Sequence, residues 1–192
     1  MLPGLEQLIV ACAPQVAPST MAAIVRVESG GRPYAINING AQQLQRQPRS
    51  AEEATRWASW LVTRGYSVDM GLAQINSGNL GRLGLTPAQL FEPCTNLRAG
   101  AKILTDNYIG ASRHYGGGQA ALQAALSAYN TGNYRSGLAN GYVAKVSAAA
   151  TGTTQEPPLQ KIPAHKPLQQ TRTVASPEPG EPRAPAVLWV KR

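Results

Sequence analysis

Ser19-Thr20-Met21-Ala22-Ala23-Ile24-Val25-Arg26-Val27-Glu28-Ser29-Gly30-Gly31 is the stretch on which the reading of this chain turns. Ser19 or Thr20 is placed to cap a helix N-terminus, and Gly30-Gly31 offers the left-handed backbone on which helices stop. Between these signals Met21, Ile24, Val25 and Glu28 are separated by steps of three, one and three, so they share one face of a 3.6-residue helix. A lone carboxylate therefore stands on an apolar stripe. It also stands in the last turn, where the helix dipole is negative, so burial and dipole both disfavour its ionised form. A carboxylic acid that stays protonated near neutral pH can serve as a general acid. The pattern admits a plainer role as well, in which Glu28 marks the edge of the apolar face and points to water or pairs with Arg26 or Arg32.

Helix signals recur on both sides of this segment. Leu5, Leu8, Ile9 and Cys12 are spaced for a first short helix between Pro3 and Pro14. Ser50 with Glu53 forms an S-x-x-E capping box, opening a third helix that carries Trp57, Trp60 and Leu61 and ends near Gly65. Residues 66–76, with Gly71 inside, read as extended or looped chain leading to a turn at Ser77-Gly78. A short helix from Thr86-Pro87, a longer one over 96–109 and another over 119–130 complete the pattern. The predicted fold class is mainly α (α+β): one helical domain over residues 1–150, with a small β hairpin drawn from 34–48 and 66–76. Composition then shifts. Residues 151–192 hold eight of the fifteen prolines and little apolar periodicity, and read as a disordered tail.

The chain has 192 residues and a formal charge of +8, with six Lys/Arg against three Glu in the tail, so the basicity belongs to both parts. Such a balance suits nucleic acid, an anionic membrane surface or an acidic polymer such as a cell wall. The basic residues are scattered, however, and Phe91 is the sole Phe, which argues against a nucleic-acid partner. No stretch approaches the roughly 18 to 20 apolar residues of a transmembrane segment. Cys12 and Cys94 lack the spacing of a zinc or haem site, and His114 and His165 have no partners at ligand spacing; no metal and no cofactor is expected. Trp57 and Trp60, three apart on one helix, read as packing.

Four blocks, taken together, carry a resemblance. Glu28-Ser29-Gly30-Gly31 followed by Pro33-Tyr34-Ala35 resembles the segment that holds the catalytic Glu of soluble lytic transglycosylases of the lysozyme-like superfamily. Gly71-Leu72-Ala73-Gln74-Ile75-Asn76 is similar to the family's GLMQI block, with Ala73 in place of Met. Asn96-Leu97, Gly100-Ala101 and Ile103-Leu104 resemble a family helix, and Ala128-Tyr129-Asn130 with Gly132 resembles its AYNAG block. All four fall in family order over residues 20–135. Cys12-Ala13-Pro14, Tyr34-Ala35-Ile36-Asn37 and Phe91-Glu92-Pro93-Cys94 resemble the VirB-type subgroup, small transglycosylases of type IV secretion and conjugation systems.

The resemblance implies a lysozyme-like domain that cleaves the N-acetylmuramic acid to N-acetylglucosamine bond of peptidoglycan glycan strands without water, leaving 1,6-anhydro ends. Glu28 would be the catalytic residue, acting as acid and then as base. Gln74 would bind sugar hydroxyls and acetamido groups; Asn76 would do the same or serve the turn before Ser77-Gly78, and Ser29 would lie near the acetamido group or help end its helix. Tyr129 would bring its hydroxyl to Glu28, and Asn130 would fix the cleft backbone. A second carboxylate, Asp69, would permit a two-carboxylate hydrolysis instead, and a third possibility is a non-catalytic peptidoglycan-binding assembly subunit. Components of a type IV secretion machine are the expected partners and the periplasm the expected location. That compartment favours a Cys12–Cys94 disulfide over two buried thiols. Residues 1–16 show no basic n-region, and Glu6 interrupts the apolar stretch, so no signal peptide is recognisable in the written chain.

Overall fold

The computed structural model describes residues 4–40, 43–152 and 173–174. In chain order the elements are α1 (Leu5–Cys12), α2 (Pro18–Ser29), β1 (Ile36–Ile38), β2 (Gln43–Leu44), α3 (Ala51–Thr63), β3 (Val68–Met70), β4 (Ile75–Asn76), α4 (Leu80–Leu83), α5 (Pro87–Leu90), α6 (Pro93–Tyr115), α7 (Gln119–Thr131), α8 (Ser136–Ala139), α9 (Tyr142–Thr151) and β5 (Thr173–Val174). Apart from Thr151, Gly152 and the short β5, the expected tail lies outside the described residues.

Helix α2 starts just before the expected caps. Pro18 takes its first position, where a missing N–H costs nothing, and neither Ser19 nor Thr20 caps it. Gly30 ends it with φ 62°. Its stripe of Met21, Ala23, Ile24 and Val25 is wholly buried, each large side chain contributing about 1.5–3 kcal/mol. Helix α9 packs along it. In α3, Ser50 Oγ accepts from the Glu53 N–H as its capping role requires, but the Glu53 carboxylate reaches past Ser50 to the Arg49 N–H and pairs with Arg46 at 2.6 Å.

Helix α6 is longer than the 96–109 expected. Glu92 caps it by accepting from the N–H groups of Cys94 and Thr95, with Pro93 in its first turn, and it runs on to Tyr115. It forms an antiparallel pair with α7. The Cys12–Cys94 disulfide ties the end of α1 to the first turn of α6, with Cα atoms 5.3 Å apart.

The expected hairpin is a three-stranded antiparallel sheet in the order β1-β3-β4, in which Asn37 pairs with Asp69 and Asp69 with Asn76. Side chains alternate across a strand, so Ile36 and Ile38 enter the core while Asn37 faces out beside Asp69. Strand β2 pairs in parallel with β5.

Asn96 joins sheet to helices. Buried in α6, it donates through Nδ2 to the carbonyls of Met70 and Leu90 and accepts through Oδ1 from the Ala73 N–H. The loop 71–74 that it staples fits because Gly71, at φ 77°, leaves no Cβ to strike the Asn96 amide.

Candidate active site

A cleft of about 830 Å³ opens between the sheet and the α6/α7 pair. Glu28, Asp69, Gln74, Asn76, Tyr129 and Asn130 all line it. Glu28 sits where α2 delivers it, in the last turn and partly buried. Burial pushes its carboxyl up to about 7, a hydrogen bond from Tyr142 works in the opposite direction, and the nearby Asp69 charge raises it further.

The tyrosine on Glu28 is Tyr142. Its hydroxyl donates to Glu28 Oε1 at 2.6 Å across 114 residues of sequence, carried there by α9 packing on α2. Burial first, and then the Glu28 charge, push the Tyr142 hydroxyl far above its ordinary range, so it stays a donor. Tyr129 was expected in this position. Its hydroxyl instead donates to the Ala73 carbonyl at 2.7 Å, bracing the 71–74 loop while the ring lines the cleft. This contact passes close to Gly100, where a Cβ would lie 2.8 Å from that of Ala73 and 3.1 Å from the Tyr129 hydroxyl.

Asp69 is held by amides. Asn76 donates to its Oδ1 at 2.6 Å, while Asn39 and Asn37 donate to Oδ2 at 3.0 and 3.2 Å. Both carboxylate oxygens are therefore engaged, leaving a fixed anion on the sheet side of the cleft.

Gln74 is the one non-glycine residue with positive φ among the described residues, at 47°. That conformation costs about 1–3 kcal/mol and is a mark of functional sites. Its Nε2 donates to the Ala35 and Gly71 carbonyls at 3.1 and 2.9 Å, which leaves Oε1 as the acceptor for a ligand. Asn76 spends its amide on Asp69 and Ser67 and its Oδ1 on the Gly78 N–H, so its turn role and its support of Asp69 account for it. Asn130 accepts from Asn140 at 2.9 Å, bridging α7 to the turn that precedes Tyr142.

Ser29 does not reach the cleft. It is 1% exposed, and its hydroxyl donates to the Val25 carbonyl and accepts from the Gly31 N–H, closing the helix end. Nor does Glu28 pair with Arg26 or Arg32: Arg26 donates to the Ala149 carbonyl and Arg32 to the Ser29 carbonyl. Among the described residues no cluster of His, Cys, Asp and Glu is arranged for a metal ion, and no helix is long and apolar enough to cross a membrane.

Tyr142, which holds Glu28, and the cleft-lining Asn37 and Asn39, which hold Asp69, are not among the expected site residues. The alternation Ile36-Asn37-Ile38-Asn39 was the available signal for the pair. Tyr142 had none, because its partner is remote in sequence.

Residues 8–150 match the family described as Transglycosylase SLT domain. The chain is 47% identical over 158 residues to the type IV secretion system protein virB1 of Brucella suis biovar 1, covering 79% of this chain and 65% of that protein. It is 43% identical over 152 residues to the protein virB1 of Agrobacterium fabrum, covering 79% of this chain and 60% of the relative. It is 42% identical over 166 residues to the protein virB1 of Rhizobium radiobacter, covering 84% and 67%. The chain thus spans about two thirds or less of the length of these relatives. No solved structure matches.

Proposed function

The chain belongs to the transglycosylase SLT domain family, and we propose that it is a lytic transglycosylase, cutting the β-1,4 bond between N-acetylmuramic acid and N-acetylglucosamine in peptidoglycan. The observation that carries this reading is Glu28: a partly buried carboxyl with its pKa near 7, in an open polar cleft, with a tyrosine hydroxyl on one oxygen.

At neutral pH a large fraction of such a group is protonated and can give its proton to the glycosidic oxygen as the bond from the anomeric carbon breaks. The N-acetylglucosamine end leaves with that proton, and Tyr142 then hydrogen-bonds the carboxylate left behind. Glu28, now a base, takes the proton from the muramoyl 6-hydroxyl as its oxygen bonds to the anomeric carbon. The 1,6-anhydro ring closes, Glu28 is reset, and no water is consumed. Asp69, fixed by its three amides, favours the protonated Glu28 before the cut and stabilises the positive charge that grows on the sugar ring during it. Gln74 Oε1 can accept from a sugar hydroxyl or acetamido N–H.

A two-carboxylate hydrolysis is the second reading, supported by Asp69 sharing the cleft and raising Glu28. The engagement of both Asp69 oxygens weighs against it. The name of the Brucella suis relative, a type IV secretion system protein, supports service to a type IV secretion or conjugation apparatus, acting at the wall in the periplasm beside other components of that apparatus.

Incubation with purified sacculi tests the activity. The protein is expected to clear the suspension and Glu28→Gln, with an unchanged circular dichroism spectrum, is expected not to. Co-sedimentation without clearing by either would support a binding and assembly subunit instead.

A further inference from the structure

Helix α6 continues past the cleft that it floors. Ile103 and Asn107 line the cleft from this helix, and further steps of three and four residues put Gly110 and His114 on the same stripe. Gly110 has no side chain to obstruct Tyr134, whose hydroxyl lies against the helix there. Tyr134 also follows the opposite wall, two residues after the cleft-lining Gly132. The rings of Tyr134 and His114 have centroids 5.9 Å apart, Tyr134 and Tyr115 6.0 Å, and His114 and Tyr115 6.4 Å. Part of this group serves packing, since Tyr134 covers the small buried cluster of Ala111, Ala121 and Ala124. Packing does not explain why His114 is exposed or why Tyr115 is 42% exposed in a chain with so few aromatic residues.

We propose that His114, Tyr115 and Tyr134 form a carbohydrate platform on which a glycan strand running out of the cleft along α6 stacks its pyranose rings. The inference rests on the cleft being a glycan site. At 1.5 Å per residue, His114 lies about 10 Å beyond Asn107, comparable to one disaccharide repeat. The C–H face of a β-linked pyranose is apolar and weakly positive, and it meets the negative face of an aromatic ring as other apolar edges do. Tyrosine hydroxyls and a histidine N–H at the rim of the same surface can reach equatorial hydroxyls. The platform would make grip depend on strand length.

Isothermal titration of the full chain with β-1,4-linked N-acetylglucosamine oligomers, from disaccharide to octasaccharide, tests this. The intact protein is expected to bind more tightly, by about fivefold, once the oligomer is long enough to pass Asn107. His114→Ala/Tyr115→Ala is expected to keep the affinity for short oligomers and its melting temperature but lose the increment. If the double variant melts lower, Tyr115→Ala alone, which removes an exposed ring, gives the same comparison with a partial loss. An equal length dependence in protein and variant overturns the platform. So does binding of short oligomers with no gain on lengthening, which leaves the cleft reading intact. Absence of binding at every length overturns both.

Discussion

Glu28→Gln should stabilise the protein, and the gain should depend on pH in a way the structure specifies. Burial and Asp69 raise the Glu28 carboxyl from 4.5 to about 7 in the fold, against the opposing hydrogen bond from Tyr142. An acid whose folded pKa lies above its unfolded one is fully accommodated below about pH 4.5. Between there and about pH 7 the unfolded chain sheds its proton more readily than the fold does, and stability is lost until both states are ionised. At 1.36 kcal/mol per pH unit, the fold loses about 3 kcal/mol across that window. Glutamine keeps the shape and an acceptor for Tyr142 but has no charge to bury. The two proteins should therefore melt within a degree or two of each other near pH 4, whereas near pH 9 the variant should melt roughly 6–12 °C higher. Thermal denaturation followed by circular dichroism across that range is the assay. A difference in melting temperature that stays constant with pH would refute the reasoning, because Glu28 would then be titrating as a solvated carboxylate.

Tyr142→Phe removes a donor that favours the ionised Glu28, so the loss of activity on the alkaline side should move to higher pH. Turnover at neutral pH should fall at least about tenfold, both visible in a pH profile of peptidoglycan clearing. Replacing Cys12 and Cys94 together by Ala opens a crosslink between residues 82 apart; by the chain-entropy estimate this costs about 4 kcal/mol, measurable as a shift in the urea unfolding midpoint with the fold otherwise unchanged. Gly100→Ala should push Ala73 and Tyr129 apart, destabilising the protein by about 1–3 kcal/mol and reducing activity through the Gln74 loop, read out by melting temperature and clearing rate.

The parts of this molecule that were legible in its sequence are those decided by near neighbours. The face shared by Met21, Ile24, Val25 and Glu28 follows from helix period alone, and that period both buries the stripe and lodges the carboxylate in the cleft. Glu92 and Pro93 start α6 three residues ahead of the expected Asn96, through a cap supplied by a glutamate where Ser, Thr, Asp or Asn is the usual signal. Tyr142 illustrates the other limit. It opens a helix whose Ala-rich sequence has a weak stripe, and what makes it matter is the packing of α9 on α2, a contact no local pattern encodes. The resemblance had assigned that role to Tyr129, thirteen residues earlier, which in three dimensions braces the backbone of Ala73. Ser29 takes the helix-ending one of its two expected roles: neighbours on a helix point about 100° apart, so beside the cleft-facing Glu28 it turns inward to close the helix end. Gln74 was located but its left-handed backbone was not, since that conformation is imposed by the Asn96 staple and Gly71 rather than by its own preference.

The central claim is that one carboxylate, Glu28, serves first as acid and then as base without water. Mass spectrometry of the muropeptides released from purified peptidoglycan tests it most directly. The account predicts 1,6-anhydro-muramoyl ends from the intact protein and no released products from Glu28→Gln. Reducing ends from the intact protein would contradict it and make Asp69 a partner in hydrolysis.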